Sequence, residues 1–199
     1  MSRRLVCGSL GTLGVIADVS LKVLPAPEVE ITVAFESDRW TAHRSMLDLS
    51  NRSLPVSGLA WFDETLLVRF SGADAAVNAA RREVGGDEVR DLPWAALADY
   101  SFFDAGELWR ISVAPAATTL LDVARVIDWG GAQRWLVDPE FDPRAELEGG
   151  HATLVIGDPA SGVTRLQPLS APVHAIHQRL KATLDPEGRL NPGRLYPDI

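Results

Sequence analysis

Cysteine is almost absent from this sequence of 199 residues, which contains a single one, Cys7. One thiol cannot form an internal disulfide, so a reducing compartment such as the cytoplasm suits the chain best. The chain is long enough to bury a sizeable core without disulfides or a structural metal. Hydrophobic residues make up 46% and charged residues 23% of the sequence, which is typical of a globular protein and excludes a disordered one.

Long apolar runs and an excess of positive charge are also missing. No stretch approaches the roughly 18 apolar residues that a membrane span requires, and the basic start lacks the apolar stretch of a signal peptide. Asp and Glu number 27 against 19 Lys and Arg, which gives a formal net charge of -8. A phosphate backbone would repel such a protein, so we expect no nucleic-acid partner.

Glycines recur every three residues near the start of the chain, at Gly8, Gly11 and Gly14. This spacing is not the G-x-G-x-x-G fingerprint of dinucleotide-binding domains, which also follows a strand and opens a helix. Glycine allows positive φ and a close approach of the backbone to a ligand, and the hydroxyls of Ser9 and Thr12 add hydrogen-bonding groups. The run is therefore either a ligand-contacting loop or a plain turn.

The next ten residues, Val15–Leu24, alternate between apolar and polar side chains over most of their length. This pattern predicts a half-buried strand. Pro25 and Pro27 would end that strand because proline cannot donate to a strand ladder. We therefore place a boundary after residue 27.

Two similar successions of elements follow the boundary. The first is predicted as a strand at Val29–Phe35, a helix from a Ser37 cap to about Leu49, a hairpin of Val56–Phe62 and Thr65–Phe70, and a helix at Ala73–Val84. After a connector with a helix near Trp94–Leu97, the second is predicted as strand Leu108–Val113, helix Thr118–Ile127, strands Gln133–Val137 and Ala152–Ile156, and helix Ala171–Leu184. Two β-α-β-β-α units predict an α+β fold, a ferredoxin-like antiparallel sheet with helices on one face.

Few side chains form a recognisable catalytic or metal-binding pattern. His174 and His177 are three apart on a predicted helix, but no third ligand has a usable spacing, so we predict no metal site. Arg110 and Arg134 lie in predicted strands, where an arginine faces solvent, pairs with a carboxylate, or grips a substrate carboxylate. Catalytic residues cannot be assigned on this basis.

The six tryptophans are best explained as anchors of the core and of interfaces. A cluster of Trp109, Trp129 and Trp135 would mark a face that meets a further domain or a partner subunit. The last predicted helix would place Val173, Ile176, Leu180 and Leu184 on one face, and Ile176 and Leu180 would set that face against a core.

Four segments resemble one protein family. Residues 8–16, with the strand that ends at Leu24-Pro25, look like the closing segment of the FAD-binding domain in FAD-linked oxidases of the vanillyl-alcohol oxidase type. Residues 180–193 are similar to the C-terminal helix and Asn-Pro-Gly tail of these flavoproteins. Residues 108–113 and 128–136 resemble the glycolate oxidase branch of the family.

This resemblance implies a role for each end of the chain. The glycine loop would lie along FAD, and the strand after it would begin by packing on the cofactor. The tail would come back to the flavin domain, where Asn191 would make a polar contact near the flavin ring. The alternative is that its Asn-Pro-Gly is a plain surface turn. The implied cofactor-binding residues are Gly8, Ser9, Gly11, Thr12, Gly14, Val15, Ile16 and Asn191.

The same resemblance implies a division of the chain into residues 1–27, the end of a FAD-binding domain, and residues 28–199, a cap domain. The family's loop for the FAD pyrophosphate is not found, so we expect FAD in a complete protein and none bound by this chain alone. Implied partners are the other glycolate oxidase subunits, including an iron–sulfur subunit, and a small 2-hydroxyacid. The expected location is the cytoplasm, or the periphery of the inner membrane through the complex. The alternative is a stand-alone ferredoxin-like module for interaction or homo-oligomerisation, without catalysis.

Overall fold

The computed structural model describes residues 5–90, 93–158 and 162–199, and the statements below concern these residues. The chain divides into two compact units. One is the continuous segment 25–163, and the other joins the residues up to Leu24 with Thr164–Ile199. The described part of the second unit has the helix α4 (Ala171–Leu184) as its regular element.

Residues 25–163 form a sheet of eight described strands in the order β4-β1-β3-β2-β6-β7-β5-β8, with every neighbouring pair antiparallel. The α+β fold class with an antiparallel sheet is therefore confirmed. The elements are β1 (Val29–Glu36), α1 (Arg39–Asn51), β2 (Val56–Phe62), β3 (Thr65–Gly72), α2 (Asp74–Val84), β4 (Asp87–Val89), α3 (Trp94–Ala98), β5 (Leu108–Ser112), β6 (Val126–Asp128), β7 (Gln133–Val137) and β8 (His151–Ile156).

The first predicted β-α-β-β-α succession forms nearly as expected. The hairpin of β2 and β3 turns at Asp63 and Glu64, whose φ angles of 47° and 56° fit the two-residue turns that follow strand twist. Helix α1 is capped one residue later than predicted. The carboxylate of Asp38 accepts hydrogen bonds from the backbone N–H groups of Trp40 and Thr41 at 3.0 Å, and this replaces the expected Ser37 cap.

Helices pack on both faces of the sheet. Met46 of α1 and Val77 of α2 are fully buried in one cluster with Leu59 and Trp61 of β2. Ala60, which lies between these two strand residues and points the opposite way, packs with α3 instead. The expectation of helices on a single face is therefore wrong for α3.

The predicted helix over Thr118–Ile127 does not form. Residues 118–125 make turns, with Leu120 at φ 57°, and Val126 begins the short strand β6. This strand pairs with both β2 and β7, and successive Val126 and Ile127 are buried on opposite faces. The apolar residues of this segment are spaced as in a helix, but turns and strand pairing bury them instead. The pairing also supplies hydrogen-bond partners for the backbone of β6.

The predicted strand over Val15–Leu24 is not formed either. These residues have no regular structure, and Val15, Val19, Leu21 and Val23 are 64 to 86% exposed. A strand needs a neighbour to take its backbone hydrogen bonds, and none of the described strands pairs with this segment.

Among the described helices, none has the length and apolar character needed to cross a membrane.

Candidate functional site

The glycine loop is a compact turn in the unit that contains both ends of the chain. Gly8, Leu10 and Gly11 all have positive φ, at 77°, 49° and 75°. The hydroxyl of Ser9 donates to the carbonyl of Val6 at 3.0 Å, and that of Thr12 donates to the carbonyl of Ser9 at 2.8 Å. The two hydroxyl side chains therefore shape the loop from inside.

Exposure separates these loop residues into two groups. Thr12 is fully buried and Ser9 is 8% exposed, whereas Gly8 and Gly11 lie at the surface. A Cβ added to Gly8 would meet nothing within 4 Å. The exposed backbone at these glycines is the part of the loop that a flat ligand can approach closely.

Asn191 contacts the glycine loop although 181 positions separate it from Leu10. Its side-chain amide donates to the carbonyl of Leu10 at 2.8 Å. A Cβ added to Gly11 would lie 2.8 Å from the same amide nitrogen, so a larger residue there would push the Asn191 side chain away from the loop. The structure thus brings together the loop and the tail residue that the resemblance singled out, while their contact with FAD stays a prediction.

Lys181 of α4, which the sequence analysis missed, ties the loop to the tail. It is 9% exposed, and its ammonium group donates to the carbonyl of Thr12 at 2.9 Å and to that of Leu190 at 2.5 Å. It also pairs with Asp185 at 2.7 Å. The only sequence signal was a Lys and an Asp four residues apart near a helix end, which is common on exposed helix surfaces.

Asp185 continues this network at the end of α4. The hydrogen bond from Lys181 and those from the backbone N–H groups of Leu190 and Arg189 lower the pKa of the Asp185 carboxyl to about 2. Because this pKa lies below the ordinary 3.8, the network contributes stability above about pH 4 and loses it as the pH falls through 2. The tail is therefore held against the loop at neutral pH by a charged pair.

The helix α4 is packed differently from the prediction. Val173 and Ile176 are 41% and 46% exposed, and Lys181 is its buried residue. The expectation that an apolar face of this helix meets a core is therefore wrong for Val173 and Ile176, whereas Leu180 and Leu184 of the same predicted face are partly buried. Val15 and Ile16, expected to pack on the cofactor, are 86% and 58% exposed.

The two histidines of α4 have separate contacts. The ring of His174 lies 3.1 Å from the carboxylate of Asp198, which also accepts from Gln178. His177 stacks edge-on with Tyr196 beside a small cavity of about 170 Å³ against the glycine loop. In the part of the chain that the structure describes, no three His, Cys, Asp or Glu side chains are grouped to hold a metal ion.

The predicted tryptophan cluster is not one surface. Trp109 and Trp135 are 2% and 3% exposed and belong to different core clusters, whereas Trp129 is 77% exposed.

Arg134 is fully buried and donates to the carbonyl of Ala117, and burial lowers the pKa of its guanidinium. Only Arg110 of the two strand arginines lines an open cleft.

One comparison with known proteins bears on function. The chain is 40% identical over 205 aligned residues to the glycolate oxidase subunit GlcE of Escherichia coli (strain K12). The alignment covers 98% of this chain but 57% of the relative, so the chain spans little more than half of the relative's length. No family model and no solved structure matches the chain. The resemblance drawn from the sequence is confirmed, and the coverage is consistent with the C-terminal part of such a subunit.

Proposed function

We propose that this chain, which is similar along almost its whole length to a glycolate oxidase subunit, is the C-terminal portion of a FAD-binding subunit. The complete complex would oxidise glycolate or a similar 2-hydroxyacid to the 2-oxoacid, passing electrons through FAD to an iron–sulfur subunit. The observation that carries the proposal is the contact of Asn191 with the glycine loop. Two distant segments with the same implied role are thereby joined in one compact unit.

The proposed division assigns residues 1–27 to the end of the FAD-binding domain and residues 28–199 to the cap. The exposed, alternating side chains of 15–24 support it, because such a segment would become a strand when paired with a sheet edge. The part of GlcE outside the alignment is long enough to supply that sheet. The proposed location is the cytoplasm, or the periphery of the inner membrane through the complex.

The loop offers FAD its backbone rather than its hydroxyls. Gly8 and Gly11 are exposed at positive φ, which suits a backbone lying along a flat cofactor. Ser9 and Thr12 hold that shape through their internal hydrogen bonds, and Asn191 fixes the loop from the tail. FAD, when bound, would accept the two electrons of the hydroxyacid, and the residues of this chain would bind and orient it.

Cofactor content tests this proposal. We expect the purified chain alone to show no stoichiometric flavin band in its visible spectrum. Fused behind the part of GlcE that the alignment leaves uncovered, it should retain FAD. Gly11→Val should lower that FAD content, because the added side chain displaces Asn191. Gly85→Val is the matched control, since Gly85 has a similar positive φ of 79° and a Cβ there meets nothing within 4 Å. A full flavin band from the chain alone, or equal content in both variants, would contradict the proposal.

A second candidate is a ferredoxin-like module for interaction or oligomerisation. The exposure of Val173 and Ile176 on α4 favours it, because side chains three positions apart on a helix are neighbours and together form an apolar surface that a second molecule can cover. Light scattering of the chain would distinguish the two. A stable dimer that Ile176→Asp dissociates supports the module, whereas a monomer that binds the uncovered part of GlcE supports the flavin subunit.

A further inference from the structure

A cleft of about 570 Å³ opens on the face of the sheet that carries α3, within residues 25–163. Arg110, Asp128 and Gln133 line it from β5, β6 and β7. Each lies two positions from a residue packed in the α3 cluster, so all three point to that face. The aromatic walls include Trp94 and Trp129. A cleft of this size and lining is typical of a small-molecule site.

Asp128 has an unmatched oxygen in this cleft. Its Oδ2 accepts from the side chains of Gln133 at 3.2 Å and Trp135 at 3.3 Å. Its Oδ1 is shielded from solvent and has no hydrogen-bond partner in the described residues. Burial raises the pKa of this carboxyl to about 7. A buried polar atom without a partner is uncommon in folded proteins, so this oxygen can still accept a hydrogen bond.

Arg110 is a positively charged side chain in the same cleft that, like Oδ1 of Asp128, has no hydrogen-bond partner among the described residues. Its charge reaches Asp128, whose pKa it lowers against the effect of burial. Within the described residues we find no hydrogen bond or ion pair to its guanidinium group. Arg69, the other arginine of the cleft, differs because it is bonded to Ser57 and stacks over Trp94 at 4.9 Å.

Trp129 stands at the cleft in a strained conformation. It is 77% exposed and has a φ of 51°, and Gly130 and Gly131 after it also have positive φ. A Cβ on Gly131 would lie 2.8 Å from the ring of His43, so tight packing against α1 fixes this turn. Strain of this kind in an exposed aromatic residue is commonly found at ligand sites.

We propose that this cleft binds a planar aromatic carboxylate. Arg110 pairs with the carboxylate, the indoles of Trp94 and Trp129 lie against the ring, and Asp128 hydrogen-bonds to a polar substituent on the ring. Glycolate is far smaller than the cleft and has no ring for the aromatic walls. Binding in this cleft requires neither the glycine loop nor FAD. It can therefore be tested independently of the proposed function.

The charge of Asp128 should control this binding. The ionisable groups around it are Arg110 on β5 and Arg69 on β3, each two strands from β6, together with Tyr100 after α3 and His43, which contacts the following turn. An ionised Asp128 competes for Arg110 and repels an anion, whereas the neutral carboxyl does neither. Affinity should therefore rise as the pH falls from 8 to 6.

Isothermal titration calorimetry on the whole chain tests the proposal with 4-hydroxybenzoate as the probe. We expect one molecule bound per chain and about tenfold weaker binding for Arg110→Met. Arg125→Met is the matched control, because Arg125 pairs with Asp63 outside the cleft. The neutral 4-hydroxybenzyl alcohol and glycolate should bind at least tenfold more weakly than the probe.

The pH dependence supplies a second readout. Asp128→Asn should bind the probe with nearly the same affinity at pH 6 and pH 8. Arg110→Lys, which keeps the charge, should recover part of the affinity lost in Arg110→Met. Absence of probe binding, equal losses in the Arg110 and Arg125 variants, glycolate binding as tight as the probe, or an unchanged pH profile in Asp128→Asn would each overturn the proposal.

Discussion

Replacing Asp128 with Asn should change how the stability of residues 25–163 depends on pH. Burial raises the pKa of this carboxyl from 3.8 to about 7 in the folded protein. This change in pKa corresponds to a difference of about 4 kcal/mol between its two protonation states. The folded protein therefore tolerates the neutral form of Asp128 far better than the charged one.

The sign of this pH dependence follows from the number of protons that the folded and unfolded chains bind. Between pH 3.8 and 7 the unfolded chain has lost the proton of Asp128 while the folded chain retains it, so the free energy of unfolding falls as the pH rises. The stabilisation is complete below pH 3.8 and is lost by the time the pH has passed 7. Asn cannot ionise, so Asp128→Asn should gain up to about 4 kcal/mol relative to the native protein between pH 4 and pH 8.

Urea unfolding followed by tryptophan fluorescence measures this difference. All six tryptophans lie within residues 25–163, so the signal reports the unit that contains Asp128. Any constant cost of the Asn side chain cancels, because the prediction concerns the change with pH. Asp122→Asn, at an exposed carboxyl, is the matched control. Parallel stability profiles for the native chain and Asp128→Asn would refute the reasoning.

Three further substitutions test local features. Gly150→Ala should lower the free energy of unfolding by about 2 kcal/mol or more, because Gly150 has a positive φ and its added Cβ would collide with a backbone oxygen of β5. Neighbouring Gly149→Ala should cost little in the same urea assay. Asp38→Ala should lower stability by about 1 kcal/mol and Ser37→Ala should not, which a thermal melt would distinguish. Lys181→Met should speed proteolysis of the C-terminal tail about tenfold, and an unchanged cleavage rate would contradict its linking role.

The first half of the sheet was predictable because its signals are local. The apolar alternation of β1 shows within a few residues, and the turn at Asp63-Glu64 joins β2 to β3, which lies next in sequence. The pairing of β1 with β3 and β4 has no such local signal. Strand β4 was missed because three residues, Asp87–Val89, are too few to show a period. The helix predicted over Thr118–Ile127 failed because its apolar spacing suits burial in turns as well as in a helix.

The candidate site was predictable only in part. The glycine spacing and Asn191 were found through their resemblance to a family, and their contact was not visible in any local pattern. Lys181 was missed because a charged residue in a helix reads as exposed until its carbonyl partners are known. The unmatched oxygen of Asp128 is likewise a product of tertiary packing, since three strands must meet before it is buried.

The contact between Asn191 and Leu10 also sets an order of events during synthesis. The two residues are 181 positions apart, so ribosomes adding about 5 to 20 residues per second need roughly 10 to 40 s to make the second after the first. All the described strands of residues 25–163 are synthesised within that interval, before the tail exists. The glycine loop therefore acquires its tail contact last, and a nascent chain cut short before Asn191 would carry a folded sheet beside an unfinished loop.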